Sequence, residues 1–221
     1  MRTPTRVLLA AGVAGPILFV VIFTVAGWLR PNYSAMVSPV SDLGVGENAW
    51  IQNANFLLFG ILLIAYAIGF RQALAPFVGR RATRSGIVIG TAALGLFGAV
   101  AFPAAPETGL LHFLLGFLVV MVASLGAAFY GARLFRRLPG GRRLARYSTW
   151  TGIISVVLFG CTFFVLNPAS PLEQAGIGGL VNRILAIIVF AWYAVTGAWL
   201  SLRLDCGGAT RSAKELTGVP S

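Results

Sequence analysis

Six apolar runs, nearly free of charged residues, constrain this chain more than any other feature of its sequence. They cover residues 7–29, 51–70, 86–102, 110–134, 148–166 and 181–202. As a helix, the first run is about 34 Å long, enough to cross a hydrocarbon core of about 30 Å. Only 10% of the residues are charged, whereas soluble domains have about 25%. The sequence therefore predicts an all-α, polytopic membrane protein, a bundle of six transmembrane helices.

The basic residues predict the orientation of this bundle. The net charge is +11, from 17 Lys and Arg against 6 Asp and Glu, which in a soluble chain would suggest nucleic acid. Here the basic residues fall between the apolar runs, and six spans leave only Arg30 and Arg183 on the less basic side. Because cytoplasmic loops are enriched in Lys and Arg, we expect a multi-pass protein of the cell inner membrane, with both termini cytoplasmic and no nucleic-acid partner.

The two ends of the chain predict an uncleaved first helix and a disordered tail. A basic start followed by an apolar run is also typical of a signal peptide, but the apolar part of a signal peptide is only about 7–15 residues long, so we expect an uncleaved first helix. Residues 1–205 then form one transmembrane domain, and residues 206–221, rich in small and polar residues, form a disordered cytoplasmic tail. The preference for Arg over Lys is typical of a bacterial genome rich in G and C.

Polar residues able to do chemistry gather on the predicted outer side. The longest polar interval, residues 33–55, separates the first two runs, and further polar residues stand at the starts of the fourth and sixth runs. An ionisable group about one turn inside the membrane costs energy unless it is paired or faces the bundle interior. A pocket on this side would contain Ser41, Asp42, Asn53, Asn55, Glu107, His112 and Arg183, and Arg183 would pair with Asp42 or Glu107.

The same residues also allow a purely structural interpretation. Polar side chains cap helix ends, and an Arg side chain can extend to lipid headgroups without any function. Spaced small residues, Gly86 with Gly90 and Gly95 with Ala99, predict close helix packing. The two cysteines lie at different depths, and no His or Cys cluster suggests a metal. We therefore expect no disulfide, no metal and no cofactor.

As an enzyme, the chain would carry an acid/base pocket open to the outer side. Asp42 or Glu107 would act as general acid or base, and His112 would move or position a proton. Arg183 would hold a charged group of the substrate, while Ser41, Asn53 and Asn55 would orient it. A carboxyl group near hydrocarbon has a raised pKa, which suits protonation of an olefin or epoxide, as in small membrane terpene cyclases, or headgroup chemistry on a lipid.

Short motifs stand at the ends of the predicted helices: Tyr33-Ser34, Pro39-Val40-Ser41-Asp42-Leu43-Gly44, Asn55-Phe56, Gly60, Phe102-Pro103, His112 and Gly179-Leu180 with Arg183. They resemble the motifs of a known bacterial family, domain-of-unknown-function family 998, over about residues 8–202. The sequence departs from the family's pattern where Ala104 and Ala105 stand in place of an expected acid, and Glu107 is the nearest acid. The resemblance implies a six-helix membrane protein, distantly similar to the DRAM-like group, and implies no activity.

Two other functions stay open. The chain could transport or bind a lipid or hydrophobic small molecule, although proton relays usually place an acid or His at mid-membrane, and the runs have no acid there. It could also be an accessory subunit whose outer loops bind a membrane partner or a second copy. The sequence leaves open whether the chain is an enzyme, and which substrate or partner it has.

Overall fold

The computed structural model describes the backbone of residues 3–165 and 169–217 and the side chains of residues 4–165, 169–171 and 174–204. Within these residues there is no strand. The six long helices are α1 (Thr3–Leu29), α2 (Ala49–Val78), α3 (Arg80–Ala101), α4 (Gly109–Phe135), α5 (Arg142–Val165) and α6 (Gly178–Thr217). All six are long and apolar enough to cross a membrane, α6 over Gly178–Leu204. The predicted fold class, a six-helix transmembrane bundle, is confirmed.

The six helices form a closed ring. Each helix packs against the next one in the chain, and α6 packs against α1 as well as against α5. Large apolar side chains remain exposed on the outer surface of every helix, as expected for a surface in contact with lipid tails. Examples from α1 to α6 in turn are Val21, Ile61, Leu94, Val122, Val157 and Val195.

The two ends of the ring differ in charge. The described segments 30–48, 102–108 and 169–177 meet at one end, called here the acidic end, which contains Asp42, Glu47 and Glu107. The opposite, arginine-rich end contains the turns between α2 and α3 and between α4 and α5. Which end faces the cytoplasm stays a prediction, based on the arginines.

Several helices extend beyond the apolar runs that predicted them. α2 continues from Phe70 through Arg71 and Pro76 to Val78, and α5 begins at Arg142 rather than at Ser148. Charged residues end an apolar run but have good helix propensity, so these helices continue past the hydrocarbon region. α6 is helical to Thr217. The predicted disorder of residues 206–221 stays a prediction, since side chains beyond Leu204 and residues 218–221 lie outside the described residues.

The first turns of α4 are wound as a π-helix, from His112 to Leu118. α3 packs closely on this segment, because a Cβ atom on Gly98 would lie 2.6 Å from the Leu115 carbonyl oxygen, and one on Gly95 would lie 2.7 Å from Val120 Cγ2. The predicted small-residue packing is thus confirmed at Gly95. It is wrong at Gly90, where a Cβ atom would meet nothing within 4 Å.

Among the described residues, three buried hydrogen bonds between side chains join the helices nearer the arginine-rich end. They are Tyr66 with Thr196 at 2.6 Å, Ser124 with Tyr193 at 2.7 Å, and the Trp192 indole donating to Ser148 at 2.8 Å. All six residues are buried. Since each polar group has a partner, these pairs stabilise helix packing in the apolar interior.

Candidate functional site

The segment between α1 and α2 folds back over the acidic end of the ring. It contains one 3-10 helix, Val40–Gly44, which packs against α1, α2 and α6. Val40 is 4% exposed and Leu43 2% exposed, so these side chains belong to the core. The burial of two apolar residues in an otherwise polar segment explains why it is ordered against the bundle and does not extend into water.

Arg183 fixes this segment to the start of α6. Its Nη1 group donates to the carbonyl oxygens of Ala35 at 2.8 Å and Ser38 at 2.7 Å, and its Nη2 group donates to the Tyr33 hydroxyl. The same hydroxyl donates to the Pro39 carbonyl oxygen at 2.9 Å. Carbonyl oxygens and a phenol therefore hold the guanidinium, in place of the ion pair with a carboxylate that the sequence predicts.

Asn182, the residue before Arg183, was not identified from the sequence. Its Oδ1 atom accepts a hydrogen bond from the backbone N–H of Val40 at 3.0 Å, at the first residue of the 3-10 helix. A helix N-terminus has N–H groups without internal partners, and Asn182 satisfies one of them. The only sequence signal was an amide at the apolar start of the last run.

A cavity of about 60 Å³ lies beneath the segment, near the centre of the ring. Five of the six helices and the 3-10 helix line it. At its polar side are Ser41, His112 and Asn182. The rest of the lining is apolar and aromatic, and it consists of Phe19, Val40, Phe56, Leu96, Ala99, Gly116, Phe117, Val120, Met121, Ala186 and Phe190.

His112 is the titratable residue of this cavity. It is 7% exposed and begins the π-helical segment. Its Nδ1 atom lies 2.8 Å from the Phe102 carbonyl oxygen. Because a carbonyl oxygen only accepts, Nδ1 carries the hydrogen, and in the neutral ring Nε2 keeps its lone pair. A π-helical turn is rare and frequently occurs at functional sites.

Asp42 lies beside this cavity, next to Ser41, and is half-buried. Burial raises the pKa of its carboxyl group, although the nearby Arg30, His112 and Arg183 act in the opposite direction. Arg30 donates to the backbone carbonyl of Asp42 at 2.9 Å and not to its carboxyl group. No donor among the described residues hydrogen-bonds this carboxyl group, so burial dominates its pKa.

Side-chain amides at the start of α2 donate hydrogen bonds to backbone carbonyl groups of the segment and of α1. Asn53 donates to the Gly44 carbonyl oxygen at 3.1 Å, and Asn55 donates to the Phe19 carbonyl oxygen at 3.0 Å and to Gln52 at 3.2 Å. Three buried amide atoms have no partner in the described structure: Gln52 Nε2, Asn53 Oδ1 and Asn55 Oδ1. These three residues do not line the cavity.

The predicted site residues therefore fall into three groups. Ser41 and His112 line the cavity, and Asp42 lies near His112 without lining it. Arg183, Asn53 and Asn55 make hydrogen bonds that position the segment and α1. Glu107 is exposed and does not line the cavity. Asn167 and Pro168, in the polar stretch between the fifth and sixth apolar runs, lie outside the described residues.

Within the described residues, no group of three His, Cys, Asp or Glu side chains is placed to hold a metal ion. The sequence profile of one family, described as "Protein of unknown function (DUF998)", matches residues 13–199. The chain belongs to the DUF998 family. No curated protein and no solved structure matches the chain. In this DUF998 protein the matched region includes every residue that lines the cavity.

Proposed function

We propose that this DUF998 protein is a membrane-embedded enzyme that uses acid/base chemistry on a lipid or prenyl-type substrate. One observation carries the proposal: a cavity at the centre of the helix ring has His112 and Ser41 at its polar side and aromatic rings opposite. Asp42 lies next to it with a raised pKa. Such a cavity favours a molecule with an apolar body and one reacting polar or unsaturated group.

The two titratable groups suit opposite roles. Asp42, with its raised pKa, keeps its proton to higher pH than an exposed carboxyl group and would donate it as general acid. Protonation of an olefin forms one C–H bond and leaves a carbocation on the neighbouring carbon. Loss of a proton from the adjacent carbon to Nε2 of His112 would form the new double bond. The reaction is redox-neutral: His112 releases its proton to solvent, and solvent returns a proton to Asp42.

Aromatic rings support the cationic step of this scheme. Phe19, Phe56 and Phe190 line the cavity, and the Phe19 ring lies 5.7 Å from that of Phe56 and 5.4 Å from that of Phe190. The face of an aromatic ring attracts a cation, by about 2 kcal/mol or more when water is excluded. A volume of about 60 Å³ suits the reacting part of a substrate whose chain extends into the surrounding lipid.

The test follows proton transfer directly. The purified full-length protein is incubated in deuterium oxide with apolar lipids extracted from the membranes of cells that express it. The products are analysed by mass spectrometry. We expect a product with deuterium bound to carbon, reduced by about 10²–10⁴-fold in Asp42→Asn, the range for loss of a general acid. Glu47→Gln, an exposed acid of the same segment, is the control.

Three outcomes of this experiment test the roles of Asp42 as general acid and His112 as base. Loss of the product in Asp42→Asn and His112→Ala, with activity kept in Glu47→Gln, supports the proposal. Equal activity in Asp42→Asn and in the unchanged protein would show that Asp42 is not the general acid. Absence of deuterium from every product of the unchanged protein contradicts proton transfer to carbon altogether.

A lipid-binding protein without chemistry is the second candidate. A cleft of about 290 Å³ between α1 and α6 has Tyr33 and Arg183 at one end and Phe23 and Ile187 along its walls. This is the shape and polarity of a site for one lipid chain with its headgroup. A lipid that co-purifies equally with the unchanged protein and with Asp42→Asn, without deuterium exchange, favours this candidate.

A further inference from the structure

The turn between α4 and α5 carries a dense positive charge. Four arginines lie within eight residues, and they surround a concavity of about 680 Å³. Leu138, Pro139 and Gly140 form the rest of its lining. The arginines are Arg136, Arg137, Arg142 and Arg143. This turn lies at the arginine-rich end, opposite the cavity that contains His112.

The backbone of this turn is fixed from several sides. The N–H of Leu138 donates to the Phe135 carbonyl oxygen at 3.0 Å, and the N–H of Gly141 donates to the Leu138 carbonyl oxygen at 3.0 Å. Leu138 is 4% exposed and belongs to the core. From α6, the Arg203 guanidinium donates to the Pro139 carbonyl oxygen. The turn is therefore held in one shape before any ligand binds.

The four arginines of the concavity differ from Arg203 in having no partner among the side chains that the structure describes. The Arg203 guanidinium stacks on the Trp199 ring at 4.3 Å as well as bonding the turn. Among the described residues, no hydrogen bond or ion pair engages the side chains of Arg136, Arg137, Arg142 or Arg143, and all four are exposed. Four like charges in so short a segment repel one another unless an anion lies between them.

Two further features favour an anion. The guanidinium fork matches the geometry of phosphate oxygens, which it binds in pairs. The turn also joins two helices that are long and apolar enough to cross a membrane, so in a membrane it lies on the headgroup side of both.

We propose that the α4–α5 turn is a binding site for the phosphate of an anionic phospholipid. The buried Leu138 and the Arg203 contact hold the turn, and the four free guanidinium groups bind the phosphate oxygens. If binding came only from a general attraction between basic loops and anionic headgroups, all arginines of this end would contribute equally to it. If the turn is a specific site, the arginines of the concavity contribute more to phospholipid binding than an equal number of arginines elsewhere at the same end.

The experiment compares two triple variants of the full chain in detergent, with phosphatidylglycerol or phosphatidylcholine added and bound lipid counted by native mass spectrometry. One is Arg136→Gln, Arg137→Gln, Arg143→Gln. The control is Arg80→Gln, Arg81→Gln, Arg84→Gln, which removes the same charge from the exposed α2–α3 turn. We expect at least tenfold weaker phosphatidylglycerol binding in the first variant and less than twofold weaker binding in the control.

Equal losses in the two variants, or no loss in the first, would overturn the proposal. Inorganic phosphate is added as a competitor, and displacement of phosphatidylglycerol by phosphate at equal concentration would assign the site to a free anion and not to a lipid. Should the glutamine variant fail to fold, the corresponding triple lysine variant keeps the charge and loses only the paired bonds. An intermediate loss of binding is expected there, and unchanged binding contradicts the site.

Discussion

The guanidinium of Arg183 donates a hydrogen bond to the Tyr33 hydroxyl, although 150 residues separate the two in the chain. Tyr33 follows α1 and Arg183 belongs to the first turns of α6, so the bond connects the first helix hairpin to the last helix. Together with the carbonyl contacts of Arg183, it determines how the segment over the cavity is placed.

Replacing Arg183 should release this segment. In Arg183→Lys, one ammonium group cannot reach the carbonyl oxygens of Ala35 and Ser38 and the Tyr33 hydroxyl together, and each bond to a charged group contributes about 1.5–3 kcal/mol. We expect faster hydrogen exchange at the amides of residues 37–42, measured by mass spectrometry. Arg84→Gln, an exposed residue at the opposite end, should leave that exchange unchanged; equal protection in both variants would contradict the anchoring role.

Asp42→Asn should change how stability depends on pH. Because burial raises the pKa of Asp42, the folded protein binds more protons than the unfolded chain between the usual carboxyl pKa and the raised one. The free energy of unfolding therefore falls as pH rises through that window and stays at its lower value above it. The variant lacks this slope, so it should be the more stable protein at pH 8.

Chemical unfolding in detergent from pH 3 to pH 8 measures this difference. The advantage of Asp42→Asn should disappear as pH falls below the usual carboxyl pKa, where Asp42 is protonated in both states. A variant less stable than the unchanged protein at pH 8 would mean that the ionised carboxyl group is stabilised by its neighbours after all.

Gly179→Ala should disturb the contact between α6 and the segment. Its Cβ atom would lie 2.5 Å from the Ser38 carbonyl oxygen and 2.7 Å from that of Ala35. Overpacking of this kind costs about 1–3 kcal/mol. Gly90→Ala is the matched control, because its Cβ atom meets nothing within 4 Å and alanine favours a helix by up to about 1 kcal/mol. Thermal unfolding should show opposite shifts, and similar shifts would argue against close packing at Gly179.

Asn182→Ala should uncap the 3-10 helix. It removes the acceptor of the Val40 N–H, which costs about 0.5–1.5 kcal/mol for a neutral hydrogen bond. Asn182→Asp keeps an acceptor oxygen at the same distance. Hydrogen exchange at the Val40 amide should accelerate in the first variant and not in the second. Acceleration in both would show that the amide group is needed for something other than accepting this bond.

Most of the fold could be predicted from hydropathy alone. The apolar runs of residues 7–29 and 110–134 nearly coincide with α1 and α4, because a helix that crosses lipid must satisfy its own backbone and remain apolar. The helix ends were less predictable, as the extension of α2 to Val78 illustrates. Neither the π-helical segment at His112 nor the ring order has a signal in composition, since both depend on packing between distant residues.

The site was predictable in its components and not in its arrangement. Ser41, Asp42 and His112 stand out as polar residues at the ends of apolar runs, and the structure places Ser41 and His112 on one cavity and Asp42 near His112. Arg183 stands out equally, yet backbone carbonyl groups satisfy it, and no sequence pattern shows where free carbonyl groups will lie. Asn182 was missed because an amide beside an arginine has no distinctive spacing.

The closed ring also has a consequence for how the protein is made. α6 supplies Asn182, Ala186 and Phe190 to the cavity and leaves the ribosome after α1 to α5. Five inserted helices therefore form an open arc whose polar groups face lipid on one side. His112 and Ser41 acquire their full surroundings only when α6 docks between α1 and α5, so the site is completed after the other five helices are made, and a chain truncated before residue 178 has none.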